Sequence, residues 1–181
     1  MGNTNKTDIS VRCCPHPVFS SYCYMMKHLP KLLMSVIGCE LVGILGTPFT
    51  ASAIPTWYAS LNKPVFAPPN WLFGPAWTTL YFLMGVAFYL IWKQGWKTKK
   101  TRTARNFFLL QLGLNFIWSP IFFGLRSPIL GLLVIIAMWM MIIMTMKQFY
   151  PLSKLAFYLL LPYVLWVSFA TLLNAGIVLL N

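Results

Sequence analysis

Beyond its first thirty residues the chain alternates long apolar runs with short basic punctuation. Uncharged stretches cover 41–62, 64–92, 106–125, 127–146 and 155–181. Each is long enough to hold the roughly 20 residues that a helix needs to cross a bilayer. Allowing for breakers, the pattern predicts helices near 32–53, 71–92, 106–125, 128–147 and 155–179. The fold class that follows is an all-α integral membrane protein, a bundle of five transmembrane helices occupying residues 31–181. Residues 1–30 are polar and punctuated by proline, and are expected to form a disordered N-terminal extension. They contain no apolar core before a small-residue cleavage site, so they do not read as a secretory signal. Lys6 stands where a myristoylation motif needs Ser or Thr. Met25 and Met26 directly precede the first basic flank, and residues 1–24 are expected to be dispensable or to result from an upstream misreading of the start codon.

The charges between the spans set an orientation. Five crossings put the N-terminal segment and the second and fourth loops on one side, which then carries twelve basic residues. The other side carries two, Lys63 and Arg126. By the positive-inside rule the N-terminus lies in the cytoplasm, and the expected location is a bacterial cell membrane. This distribution also accounts for the net charge of +12 without a nucleic-acid partner. The cluster Lys97–Arg105 reads first as a topology signal. Anionic lipid is a second reading, at about 1 kcal/mol per basic residue near the surface.

Composition narrows the chemistry. With 59% hydrophobic and 9% charged residues there is too little polar surface to cover a water-facing globule. The two acids, Asp8 and Glu40, cannot build a glycosidase pair, a divalent metal cage or a phosphoryl-transfer centre. Cys13, Cys14, Cys23 and Cys39 read as free thiols, because adjacent cysteines rarely bridge and zinc sites usually separate paired thiolates by two residues or more. His16 and His28 lie outside any apolar segment and read as solvated. No metal and no obligatory cofactor are expected.

Several helix faces point inward. Glu40 lies about nine residues into the first span, where facing lipid costs several kcal/mol, so it is expected on a packed or wet face. Ser35, Cys39, Gly43, Thr47 and Ala51 recur every fourth residue, a small-residue stripe that lets another helix approach closely. Helical spacing also aligns Trp77, Tyr81 and Phe88 on the second span, Gln111, Asn115, Trp118 and Phe122 on the third, and Tyr163, Trp166, Ala170 and Asn174 on the fifth. Their amides need partners at membrane depth, in each other or in a ligand. Pro48, Pro75, Pro120 and Pro162 fall inside predicted spans and are expected to bend them or free carbonyls where protein or a cavity covers the break. Between the first two spans, Pro55, Pro64, Pro68 and Pro69 interleave with Trp57, Tyr58, Phe66 and Trp71, suggesting a stiff aromatic lid, although interfacial aromatic anchors have the same composition. A bundle of bent helices around an aromatic pocket follows.

Four ordered blocks carry a family resemblance. They are Trp57–Pro64, Ala67–Trp71 with Phe73–Tyr81, Leu114–Gly124, and Pro162–Asn174. Together they resemble the signature of the TspO/MBR family, the tryptophan-rich sensory proteins of bacteria and the related mitochondrial translocator protein. The similarity runs from about residue 32 to the end. It implies five transmembrane helices, a homodimer in membrane lipid, and a pocket beneath the first loop that accepts tetrapyrroles such as protoporphyrin IX or haem. Matched by motif, the implied ligand-binding residues are Trp57, Tyr58, Trp77, Tyr81, Asn115, Trp118, Trp166, Ala170 and Asn174. Flat aromatic faces suit a macrocycle, and indole and amide hydrogens can address its carboxylates. Lys63 is a further candidate for a propionate, with a solvated loop lysine as the plainer reading. Animal members that bind cholesterol carry Tyr and Arg shortly after the Leu-Asn pair, whereas Asn174 is followed here by Ala175-Gly176-Ile177. Val86, Tyr89 and Lys93 match only the loose sterol-contact pattern.

Three functions compete on this reading. The first is tetrapyrrole binding with a sensory or regulatory role. The second is transport of porphyrins or other small hydrophobic ligands, which an odd helix number without a visible internal repeat does not support. The third is light-dependent porphyrin degradation. Nothing in the chain supplies a general base, metal or nucleophile, so such an enzyme would rest on the photochemistry of its ligand.

Overall fold

The computed structural model describes the backbone of residues 17–181 and the side chains of residues 28–181. Contacts divide the chain into two units, Met1–Pro30 and Lys31–Asn181. In the first, the extension expected to be disordered is helical from Pro17, where α1 (Pro17–Ala53) begins. Proline is tolerated in a first helical turn, and residues 18–29 contain neither proline nor glycine to stop the helix. Cys13, Cys14 and His16 lie outside the described residues, as do the side chain of Cys23 and most of the segment 1–24 thought dispensable.

In the second unit, α1 is followed by a short helix α2 (Trp57–Ser60), a 3-10 turn (Asn70–Leu72), and α3 (Phe73–Trp92). Next come α4 (Lys99–Ser119), a π turn (Pro120–Gly124), α5 (Pro128–Phe149), α6 (Lys154–Leu159) and α7 (Leu161–Leu180). Three starts are fixed by hydroxyl caps: Thr98 accepts from the Thr101 N–H, Ser127 from the Leu130 N–H, and Ser153 from the Ala156 N–H. The third span starts seven residues before its predicted 106, because Thr98 is a cap and Lys99–Arg105 are competent helix formers.

Among the described residues, five segments are long and apolar enough to cross a membrane: His28–Ala53, Asn70–Trp92, Lys99–Gly124, Pro128–Phe149 and Lys154–Leu180. Their outer faces display Leu33, Ile37, Leu41 and Ile44 on α1, Ile129, Leu133 and Ile136 on α5, and Leu165 and Leu172 on α7. So much exposed apolar surface is stable only against lipid. The protein is a multi-pass, all-α membrane bundle.

The four inner-span prolines act differently. Pro120 cannot donate to the carbonyl one turn back; the ladder resets as a π turn, closed by the Leu125 N–H on Pro120 O at 2.9 Å. Pro162 interrupts the last span at Leu160, dividing α6 from α7. Pro75, expected to bend the second span, sits in the first turn of α3, where its missing N–H has no intrahelical partner to lose. Pro48 lies within the continuous α1.

The core is built by α3, α4, α5, α6 and α7, with Met84, Ala87 and Ile91 facing Phe108, Ile135, Met138, Ile142, Phe149 and Val167. α5 runs along α4 and α7, and α3 lies against α6. The small-residue stripe of α1 meets α3. Ser35 Oγ donates to Gly85 O at 2.7 Å, Cys39 is a buried free thiol, and the ring of Tyr81 lies on Gly43. Further along α1, Gly46 faces Ser119, and Phe49 packs on Gly124. Thr47 and Ala51, from the same stripe, are exposed. A second, smaller cluster gathers Tyr58, Phe122, Phe123, Leu173 and Ile177 under α2. The space between the two clusters holds the candidate site.

Candidate functional site

A cavity of about 350 Å³ lies where α1, α2, α3, the π turn and α7 converge. That volume is within the range of small-molecule sites. Its walls include Tyr58, Trp77, Tyr81, Asn115, Trp118, Trp166, Ala170 and Asn174, eight of the nine residues named from sequence. Trp57 is the exception. α2 is a single turn, so Trp57 and Tyr58 diverge by about 100°, and only Tyr58 reaches the cavity. Trp57 packs edge-on against Phe122 instead, at 5.5 Å between centroids.

The aromatic walls are held by their neighbours. Trp118 stacks on Phe122 at 5.0 Å and 16°, and its Nε1 donates to Gly131 O at 3.1 Å, so that indole hydrogen is committed to α5. Trp77 lies 5.6 Å from Tyr81 and 6.4 Å from Tyr163. Trp166 is braced by Phe73 and Phe169 at 6.1 and 5.8 Å. Its indole N–H is buried and finds no acceptor among the described residues. A buried donor without an acceptor is costly, which leaves Trp166 with an unmet hydrogen-bonding group on a residue that lines the cavity.

The amides meet tyrosines and backbone rather than each other, and Gln111 Nε2 is buried without a partner among the described residues. Tyr81 OH donates to Asn115 Oδ1, Asn115 Nδ2 donates to Tyr163 OH at 3.0 Å, and Tyr163 OH donates to Gln111 Oε1 at 2.8 Å. This chain ties α3, α4 and α7 through the core, with every member buried. Asn174, with its amide oriented to satisfy both atoms, donates to Pro128 O at 3.0 Å and accepts from the Leu132 N–H at 3.1 Å, tying α7 to the start of α5. Glu40 is half-buried and lines the cavity rather than the outer face of α1. Ile44, Thr47 and Ala51 of α1 and Gly74 and Thr78 of α3 line the cavity yet are exposed. The cavity therefore opens sideways between these two helices.

Several lining residues escaped the sequence reading. Phe123 follows Phe122, and both are buried although adjacent helical positions point about 100° apart. The π turn makes this possible, and Pro120 was its only sequence signal. Phe73, Met138, Leu173 and Ile177 also contribute, without a period that separates them from ordinary core.

The first loop covers one end of the cavity. Burial pushes the Tyr58 hydroxyl above its ordinary pKa, so it stays neutral, and Lys63 Nζ sits 4.6 Å from the centre of that ring. This cation–π contact replaces the solvated lysine expected from sequence. The loop is fastened to the end of α7. The Asn62 N–H donates to Asn181 Oδ1 at 3.0 Å, Asn181 Nδ2 donates to Asn62 O at 3.0 Å, and Pro64 rests on Gly176. Replacing Asn181 by Ala removes both bonds, at about 1 kcal/mol each for exposed partners. The expected result is roughly thirtyfold faster hydrogen exchange across residues 57–66, with the core of α5 unchanged. Unaltered exchange would show that the asparagine pair does not hold the loop.

The chain as a whole is similar to known proteins. The model of the TspO/MBR family matches residues 35–180. The chain is 49% identical over 152 residues to the tryptophan-rich protein TspO of Archaeoglobus fulgidus, covering 83% of this chain and 97% of that protein. It is 41% identical over 157 residues to the protein of the same name from Chlorobaculum tepidum, covering 87% and 99%. Similarity to the translocator protein of Homo sapiens is 39% over 139 residues, covering 76% and 80%.

Proposed function

The chain belongs to the TspO/MBR family, and from that premise we propose that it is a membrane receptor whose cavity takes up a tetrapyrrole such as protoporphyrin IX or haem, with a sensory or regulatory role. Family membership supports the coarser assignment, sensing or transport. The tetrapyrrole rests on one observation, a cavity walled by three indoles in which the Trp166 N–H is unmatched. Indole faces present the area and polarizability that a flat macrocycle stacks upon. A propionate or carbonyl oxygen would supply the acceptor that Trp166 lacks. The gap between α1 and α3 lets a ligand larger than the enclosed volume extend beyond it. In a bacterial cell membrane the positive-inside rule turns the basic loops to the cytoplasm and the fastened first loop to the opposite side.

The test is a titration of purified protein with protoporphyrin IX in the dark, following quenching of tryptophan fluorescence. Saturable quenching is expected. Trp166→Ala should weaken binding by about thirtyfold, the loss typical of a buried aromatic anchor at about 2 kcal/mol. Trp166→Phe, which keeps the ring and removes only the N–H, should lose roughly three- to tenfold. Absence of saturation in the unaltered protein rejects the tetrapyrrole, and equal affinity of Trp166→Ala moves the ligand elsewhere.

A further inference from the structure

The end of the bundle opposite the cavity carries charge that the chain cannot neutralise. Between residues 93 and 105 stand Lys93, Lys97, Lys99, Lys100, Arg102 and Arg105, and Lys147 and Lys154 flank the neighbouring turn. The whole chain has two acidic side chains, Asp8 and Glu40, far too few to neutralise eight cations. Glu40 is already on the cavity wall.

Three of the cations are also misplaced for the helix that bears them. α4 starts at Lys99 and has no acid in its first turn. Lys99, Lys100 and Arg102 therefore face the positive pole of the helix, where an anion is favoured and a cation is not. The positive-inside rule explains why these charges lie on this side of the membrane; it does not explain why they crowd a helix N-terminus.

The surroundings are rigid and graded from polar to apolar. The turn before α4 reverses at Gly95, whose φ is +78°, and Gln94 Nε2 ties it to Leu90 O at 3.2 Å and to Leu152 O at 3.1 Å. Trp96 stacks on Phe88, which stacks on Phe108 at 4.5 Å and 14°. The Arg105 guanidinium lies 5.4 Å from the Trp96 ring centre while Nε and Nη2 donate to Asn106 Oδ1. That geometry fixes the guanidinium and leaves its Nη1 edge uncommitted. Helical spacing then places Lys99, Arg102, Asn106, Leu109, Leu110 and Gly113 on one face of α4. The face is exposed throughout, and a side chain at Gly113 would meet nothing within 4 Å. Cations at one end, an amide next, then a leucine strip with a shallow gap at Gly113 match the order of groups in a phospholipid.

We propose that this face of α4 is a binding site for an anionic phospholipid. Lys99, Arg102 and Arg105 hold the headgroup phosphate at the helix N-terminus, and an acyl chain lies along Leu109, Leu110 and Gly113. The apolar continuation selects a lipid over a free phosphate, and the surplus of cations selects a net-negative headgroup over a zwitterionic one.

Native mass spectrometry of the purified full chain, titrated with phosphatidylglycerol or phosphatidylcholine, tests the site. The unaltered protein is expected to retain phosphatidylglycerol at least tenfold better. Lys99→Gln with Arg102→Gln should weaken that retention on the order of tenfold, whereas Lys147→Gln with Lys154→Gln, which removes the same charge from the neighbouring turn, should change it less than twofold. Gly113→Phe keeps every cation, fills the path of the acyl chain, and should also cut retention several-fold. The proposal is overturned if the two lipids bind alike, or if both double variants lose equally, the mark of diffuse surface charge. It is overturned as well if Gly113→Phe has no effect, or if 10 mM inorganic phosphate displaces the lipid, which would assign a soluble anion.

Discussion

Leucine in place of Gly85 is expected to destabilise the bundle by at least about 3 kcal/mol, lowering the melting temperature in detergent by roughly 10 °C or preventing recovery of monodisperse protein. A Cβ at this position would lie 2.6 Å from Val36 Cα and 3.1 Å from Ser35 O, both backbone atoms that no rotamer change can move. The two helices would have to separate, breaking the bond from Ser35 Oγ to Gly85 O. They would also pull the ring of Tyr81 away from Gly43, one turn along the same crossing. Because α1 and α3 form the sides of the cavity mouth, the damage should reach ligand binding. Alanine at this position carries the same Cβ and should show a smaller loss of the same kind. Gly38→Leu is the control, since nothing lies within 4 Å of its missing Cβ. If Gly85→Leu melts with the unaltered protein while Gly38→Leu does not, the crossing has been placed on the wrong face of α3.

Half of that contact was legible from the sequence. Ser35, Cys39 and Gly43 repeat every fourth residue, and a repeat can be recognised without knowing what it meets. Gly85 is a lone glycine in an apolar span and has no period, so its role emerges only when α1 lies beside it. The same limit governs the site. Apolar run length and basic punctuation sufficed for five spans because bilayer thickness imposes them on any sequence. The stripes through Trp77, Trp118 and Trp166 indicated inward faces for the same local reason. Which inward groups meet is a tertiary matter. Asn174 had no sequence signal linking it to the start of α5, and the tyrosine partners of Asn115 lie 34 residues before it and 48 after it. Trp57 shows the converse limit, since motif membership cannot separate two adjacent residues when a single helical turn sends one inward and one aside.

Replacing Asn115 by Leu should cost on the order of 2–3 kcal/mol, the second large effect. The substitution keeps approximate volume but removes the acceptor for Tyr81 OH and the donor to Tyr163 OH. Tyr163 keeps its bond to Gln111, so the main penalty falls on Tyr81, whose buried hydroxyl loses its acceptor. Tyr163→Phe should cost less, about 1–2 kcal/mol, because it frees one atom each of Asn115 and Gln111 without removing a ring. The two effects must not add. Once the Asn115 amide is gone, Tyr163 has already lost that partner, so the double variant should be more stable than the sum of the singles by on the order of 1 kcal/mol, near the upper range for hydrogen bonds between transmembrane helices. Thermal unfolding of the four proteins in one detergent measures this coupling. Additivity within about 0.3 kcal/mol would mean that the tyrosines and the amide contribute separately. Coupling would establish that the wall of the cavity and the buried centre of the bundle behave as one connected unit, so that a ligand pressing on Tyr81 also loads α4 and α7.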